Sequence, residues 1–494
     1  MSAPGGDVFV RHWGEGKRPP SKWPRRLGLV LGVAVAVGVG VAIWHAVRPD
    51  PWRAHFVSCT YGGYVTAWCT DVAVPKDPSR PSGSSIELHV TVLPSTTQPA
   101  AGALFYLEGG PGGAATQSAV EVNALFAEVS RYRDVVMIDQ RGTGGSAPLS
   151  CPAAKVPAHD AAIVTAYLRR CFAGLHDTAG LDTTSVAAAD LEAVRRRLGY
   201  GKVDLYGGSY GATLAQTYLR LYPSSVRSVV LDSGSLPDVH IYDVSARNAE
   251  RALDDVLARC ARDRECHRAY PQPRRELAVL LARGPRRVSL QTGTAVLARD
   301  DVAWTVEALS ESPSAAATIP YVVHRAFEGD YVPLGTAYAT QLGADLDPRS
   351  RLAMYWVILC SEPWAGFDAA ATARDGIGSY LASAADARAR LFAQACAVVP
   401  RGRVPPGSGS VVATRVPALL LAGGADPLDP VANLHGWRRA FPNGRLVVVP
   451  SGGHGSIGYG CVQTLVARFV AAGTGRGLDT SCARRIAPSP FETG

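Results

Sequence analysis

The sequence predicts an α/β fold: a mostly parallel central sheet with helices on both faces and an inserted helical cap. Three observations in the 494-residue chain carry that expectation. Several short apolar runs end in glycine, as suits strands buried on both faces. Helical patterns lie between these runs, and strand–helix alternation is the mark of a parallel sheet. The alternation stops at about 237–400, where an Arg- and Ala-rich stretch reads as mostly helical, and resumes after a loop at 401–410.

Taken in order, the chain opens with a basic tail, residues 1–26. It holds Arg11, Lys17, Arg18, Lys22, Arg25 and Arg26 against Asp7 and Glu15, half of the formal net charge of +8. Residues 27–47 follow without a formal charge, long enough as a helix to span the ~30 Å apolar core of a bilayer. The run is apolar on every face, which argues against an ordinary core helix. It is longer than a secretory signal core and lacks a small-residue cleavage site, so a single-pass anchor is expected. The arginines on its N-terminal side keep that end cytoplasmic and put the body outside. A leader that is cleaved is the alternative, and the Gly28/Gly32 pair is unremarkable in so glycine-rich a run.

A linker is expected at 48–58. Strands are expected at 64–74, 86–93, 103–107, 135–138, 203–206 and 226–231, then at 418–422 and 446–449. Residues 184–198 read as a helix, with Asp190 and Glu192 early and Arg195 to Arg197 late, as the helix dipole favours. Helices are also expected at 212–221 and 430–441. The first part of the α/β core is thus 48–236, the cap 237–400, and the second part of the core 401–494.

Composition excludes several classes. Hydrophobic residues at 47% and charged residues at 19% exclude a disordered or collagen-like chain. The basic excess sits half in a membrane-flanking tail and makes no case for a nucleic-acid partner. The ten cysteines fall at Cys59, Cys69, Cys151, Cys171, Cys260, Cys266, Cys360, Cys396, Cys461 and Cys482, with no C-x-x-C pair to suggest zinc. Outside the cytoplasm an even set suggests disulfides, and the spacing suggests that each cysteine pairs with its neighbour in this order.

The chemistry gathers at strand ends. Gly207-Gly208-Ser209-Tyr210-Gly211 fits G-x-S-x-G between a strand and a helix, the setting of a nucleophile elbow. Serine needs an adjacent base to react near neutral pH. His454 follows the last strand and Asp426 the one before, giving the chain order serine, acid, histidine. Asp429 competes for the acid but lies further from its strand, beyond Pro427. An oxyanion would be met by the backbone N–H of Tyr210 and by one from the loop 108–113, where Gly110 is the candidate. A phosphate-binding reading of that loop fails, because no Gly-Lys-Ser/Thr follows and Pro111 removes a donor.

Glu108-Gly-Gly-Pro-Gly-Gly, Asp139-Gln-Arg-Gly-Thr-Gly, Gly207-Gly-Ser-Tyr-Gly and the Asp426/His454 ending together resemble the proline-iminopeptidase clan of α/β-hydrolases. The resemblance is closest to the secreted tripeptidyl-aminopeptidase branch of actinobacteria and covers roughly residues 55–485. It implies an α/β-hydrolase fold and serine exopeptidase activity on peptides with a free N-terminus, with no cofactor and no metal. It also implies an anionic cap residue for the substrate ammonium, and Glu362 is the candidate. Asp139 and Arg141 are expected to brace loops by a salt bridge. Glu108 departs from the histidine that many iminopeptidases carry there, which bears on specificity rather than on the triad. An esterase or lipase with the same triad, and a non-catalytic surface module on this scaffold, are the rival readings.

Overall fold

The computed structural model describes residues 55–152, 160–291, 293–345 and 352–494. The expected tail 1–26 and membrane span 27–47 lie outside the described residues. Among the described residues no helix is long and apolar enough to cross a membrane.

Seven strands precede the cap: β1 (Val57–Tyr61), β2 (Val65–Pro75), β3 (Ser85–Leu93), β4 (Ala103–Leu107), β5 (Asp134–Ile138), β6 (Val203–Gly208) and β7 (Val226–Asp232). The cap carries β8 (Arg286–Leu290) and β9 (Gly293–Leu297), and β10 (Ala418–Gly423) and β11 (Gly444–Val449) follow it. Nine of them form one sheet in the order β1-β2-β3-β5-β4-β6-β7-β10-β11. The pairs from β1 to β5 are antiparallel, and those from β5 through β4, β6, β7 and β10 to β11 are parallel.

The central strands are buried on both faces because helices cover both. On one face Leu104, Met137, Tyr206, Leu419 and Val447 pack against helices Ala119–Leu125 and Val462–Ala472. On the other lie helices Thr184–Arg197 and Tyr210–Leu221, which pack on each other and on β2, β4, β6 and β7. β5 and β10 are buried at every position, which is why, Asp134 at the start of β5 apart, their sequences are apolar runs. Each such buried Leu, Val, Ile or Met contributes about 1.5–3 kcal/mol of transfer free energy.

The cap has its own apolar core, including Leu253, Val256, Leu277, Val306, Val323 and Leu381. A second cluster joins Tyr167, Leu168 and Phe172 of helix Ala161–Leu175 to Trp356, Phe392 and Val399. The ten cysteines form five local disulfides, Cys59–Cys69, Cys151–Cys171, Cys260–Cys266, Cys360–Cys396 and Cys461–Cys482.

Three local expectations are corrected. The end of the expected linker is strand β1, whose pairing with β2 is carried by backbone bonds that need no apolar run. The cap is not wholly helical, since β8 and β9 form an antiparallel hairpin. Residues 430–441 are not one helix: a 3₁₀ turn, Val431–Leu434, and a short helix, Trp437–Ala440, are separated at Gly436, whose φ of 83° leaves the right-handed helical region.

Candidate active site

The strand order reverses at β4 and β6. Connections leave β4 toward β5 and leave β6 toward β7, so a crevice opens at the C-terminal ends of this pair. The loop after β4 and the turn after β6 both lie there, and a Cβ added to Gly109 would come within 3.3 Å of Ser209 Cβ.

Ser209 stands between β6 and helix Tyr210–Leu221 with φ 54° and ψ −125°. A non-glycine residue held at positive φ costs about 1–3 kcal/mol and persists only where its surroundings enforce it. Here they do. A Cβ on Gly207 would overlap the Gly211 carbonyl oxygen, and one on Gly211 would overlap the Leu107 carbonyl oxygen. Strand, turn and helix therefore close on one another only with glycine at both places.

His454 Nδ1 lies 3.0 Å and 3.2 Å from the two carboxylate oxygens of Asp426. Asp426 is fully buried and also accepts the N–H groups of Leu428 and Asp429 at 2.9 and 3.0 Å. Burial alone would raise its carboxyl, but the His454 charge and these donors outweigh it and hold it below its usual range. Burial pushes the Asp429 carboxyl up, and Asp426 beside it adds to that; its side chain accepts from Ser235. The structure thus brings Asp426, rather than Asp429, to the histidine. Among the described residues Ser209 is not hydrogen-bonded to His454, and such bonds are often long before substrate binds.

Burial opposes the charge on His454, but Asp426, Asp429 and Glu311 outweigh it and hold the imidazolium above the ordinary histidine range. A general base must be neutral, and a raised pKa means that the neutral form is lost as pH falls through that higher value. The acid limb of kcat/KM is therefore expected above ~6.5, the unperturbed histidine value, with activity still rising into the alkaline range. A pH–rate profile whose limb lies at or below that value would contradict the assignment.

The cap reaches this histidine directly. The Glu311 carbonyl accepts the His454 N–H at 2.7 Å, and a Cβ on Gly453 would overlap that carbonyl.

Of the two candidate oxyanion donors, Tyr210 begins its helix, where the first N–H groups have no intrahelical partner. In the other loop, Gly109 N–H donates to Glu108 Oε1 at 2.8 Å, while Gly110 N–H has no such acceptor among the described residues. Glu108 Oε2 accepts from Ser118 at 2.5 Å, so this carboxylate ties down its own loop.

Glu362 follows helix Leu352–Ser361 and accepts from Thr184 twice, from N–H at 2.7 Å and from the hydroxyl at 2.6 Å. Thr184 Oγ1 is 2.9 Å from the Tyr210 hydroxyl, which also accepts from Gln140 at 3.0 Å. The expected ammonium anchor is thus two hydrogen bonds from the residue after Ser209. Burial raises its carboxyl against the pull of Thr184.

Asp139 and Arg141 do brace loops, but not by pairing with each other. Asp139 accepts from Thr116 N–H, Thr116 Oγ1 and Gly145 N–H. Arg141 makes a bidentate bond to Asp190 at 2.6 and 2.7 Å and reaches the carbonyls of Pro75 and Lys76. With one residue between them, the two side chains find partners on different segments: Asp139 on Thr116 and Gly145, Arg141 on Asp190 and the carbonyls at and just after the end of β2. Asp232 and Ser233 were not singled out by the sequence, although the end of β7 was a strand end like the others. Among the described residues no group of three or more His, Cys, Asp or Glu is arranged to hold a metal ion.

Residues 102–460 match the family model described as alpha/beta hydrolase fold. The chain is similar to a tripeptidyl aminopeptidase of Streptomyces lividans, 31% identical over 239 residues, or 43% of this chain and 41% of that protein. It is 29% identical over 223 residues to serine protease Hip1 of Mycobacterium tuberculosis, covering 40% of this chain and 42% of the relative. A proline iminopeptidase of Neisseria meningitidis is 32% identical over 146 residues, covering 29% and 36%. The matches span about two fifths of the length of these curated relatives.

Proposed function

The chain belongs to the α/β-hydrolase fold family, and from that premise we propose that it is an extracytoplasmic serine aminopeptidase. The observation that carries this is a strained serine at a strand–helix elbow, at the sheet's switch point, with a histidine bonded to a fully buried carboxylate on neighbouring strand ends. Its similarity to proteins named tripeptidyl aminopeptidase, serine protease and proline iminopeptidase supports a peptide substrate.

In this mechanism Ser209 Oγ attacks the scissile carbonyl while His454 Nε2 takes its proton. Asp426 fixes the tautomer through Nδ1 and stabilises the imidazolium that forms. The N–H groups of Tyr210 and Gly110 receive the developing oxyanion. His454 then passes the proton to the leaving amine, and water hydrolyses the acyl-enzyme by the same steps. Glu362 anchors the free ammonium of the substrate, which would stabilise the charged form of a carboxylate that burial disfavours. Five disulfides support a site of action outside the cytoplasm, with residues 27–47 as the membrane anchor.

The test compares free and N-acetylated forms of one peptide substrate. Acetylation is expected to abolish most turnover, and Glu362→Gln to reduce kcat/KM for the free peptide by ~10²-fold, the worth of a charge-assisted contact. Equal rates on both forms would favour an esterase-like site without an ammonium pocket.

A further inference from the structure

We infer that Asp232 and Ser233, at the end of β7, are positioning residues that set the separation of the nucleophile and the base. The inference rests on the reading of Ser209 and His454 given above. Asp232 is fully buried, and its main-chain carbonyl and carboxylate reach both of the loops that carry those residues. Its main-chain carbonyl accepts the Ser209 N–H at 2.9 Å. Its carboxylate accepts the Ser456 N–H at 2.7 Å through Oδ1 and the Ile457 N–H at 2.8 Å through Oδ2. Oδ2 also accepts the Tyr206 hydroxyl at 2.8 Å, three residues before the nucleophile. Ser233 completes the set, its Oγ accepting the Gly455 N–H at 2.8 Å.

Three consecutive backbone N–H groups directly after His454 are therefore all captured by two adjacent side chains. The same corner holds the nucleophile turn by its main chain. Ser233 N–H donates to Leu421 of β10, the strand that leads to Asp426. Ser233 has φ 48°, a backbone state that a serine adopts here only because these bonds impose it. An ordinary buried carboxylate would tie together whatever surrounds it. This one joins the segment directly after His454 to Tyr206 in the strand that leads to Ser209, while its own main chain holds the Ser209 N–H. Since a misplacement of ~1 Å can cost ~10²-fold in rate, that arrangement controls turnover rather than affinity.

The test uses the full chain, a tripeptide p-nitroanilide with a free N-terminus, and a fluorophosphonate probe that reports nucleophile activation without regard to substrate class. Asp232→Asn keeps the volume but turns an amide NH₂ toward a backbone N–H. It is expected to lower kcat and the labelling rate by ~10²-fold with KM within about threefold, the pattern of lost transition-state geometry. Ser233→Gly relieves the positive φ while deleting one acceptor, and is expected to lower both by ~10-fold with an unchanged or higher melting temperature. Folded Asp232→Asn with wild-type kcat and labelling overturns the inference. Should that variant not fold, Ser233→Gly decides: wild-type kcat and labelling in it overturn the inference, and the tenfold loss supports it. Ser209→Ala runs in parallel, because labelling or turnover that survives in that variant would sink the reading of the site itself.

Discussion

Ser209→Ala is expected to lower kcat by ~10⁴–10⁶-fold, leaving only the catalysis that donors and substrate positioning supply without a nucleophile. The stability of the variant should stay within about 0.5 kcal/mol of wild type, since the hydroxyl makes no hydrogen bond to His454 and alanine fills nearly the same volume. The backbone strain at φ 54° remains, because it is imposed by the close approach of Gly207 to Gly211 and of Gly211 to Leu107 rather than by the serine hydroxyl. A stopped assay and a thermal melt on the same preparation separate the two effects. A variant that keeps its melting temperature and retains a tenth of its activity would remove Ser209 from the chemistry.

Asp426→Asn should cost nearly as much, about 10⁴-fold in kcat. The loss follows from geometry: Nδ1 of His454 would face a group that can donate as well as accept, so the imidazole is no longer held with Nε2 free to act as base. Asp429→Asn is the matched control. Asp429 accepts from Ser235 and donates its N–H to Asp426, and has no hydrogen bond to His454. Its replacement is expected to cost less than about tenfold, through electrostatics alone. The two variants also differ in pH dependence. Removing the Asp426 charge takes away the main support of the imidazolium, so the acid limb should move down by more than it does in Asp429→Asn. Equal losses in the two variants would show that the carboxylates share the role.

The linear chain and the folded one contribute different parts of this site. The elbow at 207–211 was legible because strand, turn and helix are contiguous and each glycine is needed within a few residues. The disulfides were legible for a similar reason: partners lie between 6 and 36 residues apart, and each pair closes a local loop. Asp426 and His454 were singled out because each lies just past a short apolar run, Ala418–Ala422 in the fully buried β10 and Leu446–Val449 in the edge strand β11, and a polar residue past such a run stands at the strand's end.

β1 was missed because an edge strand is half solvated and needs no apolar run. The hairpin β8–β9 was missed for a related reason, since most of its residues are exposed and carry no period-2 pattern that burial would select. The broken segment at 430–441 shows the limit of helical periodicity where a single glycine diverts the backbone.

What the sequence alone determined is therefore the class of fold and the local staples, both of which depend on neighbours along the chain. Only the tertiary structure decided that Asp426 rather than Asp429 faces the histidine, that Arg141 pairs with Asp190, that Glu362 reaches Thr184 beside Tyr210, and that the cap carbonyl of Glu311 holds His454. It alone shows Asp232 and Ser233 gathering the loops, across separations of more than 220 residues. The physical reason is range. Propensity and burial pattern act over a turn or a strand, whereas a hydrogen bond to a buried carboxylate is set by which loops the packed sheet delivers to one point.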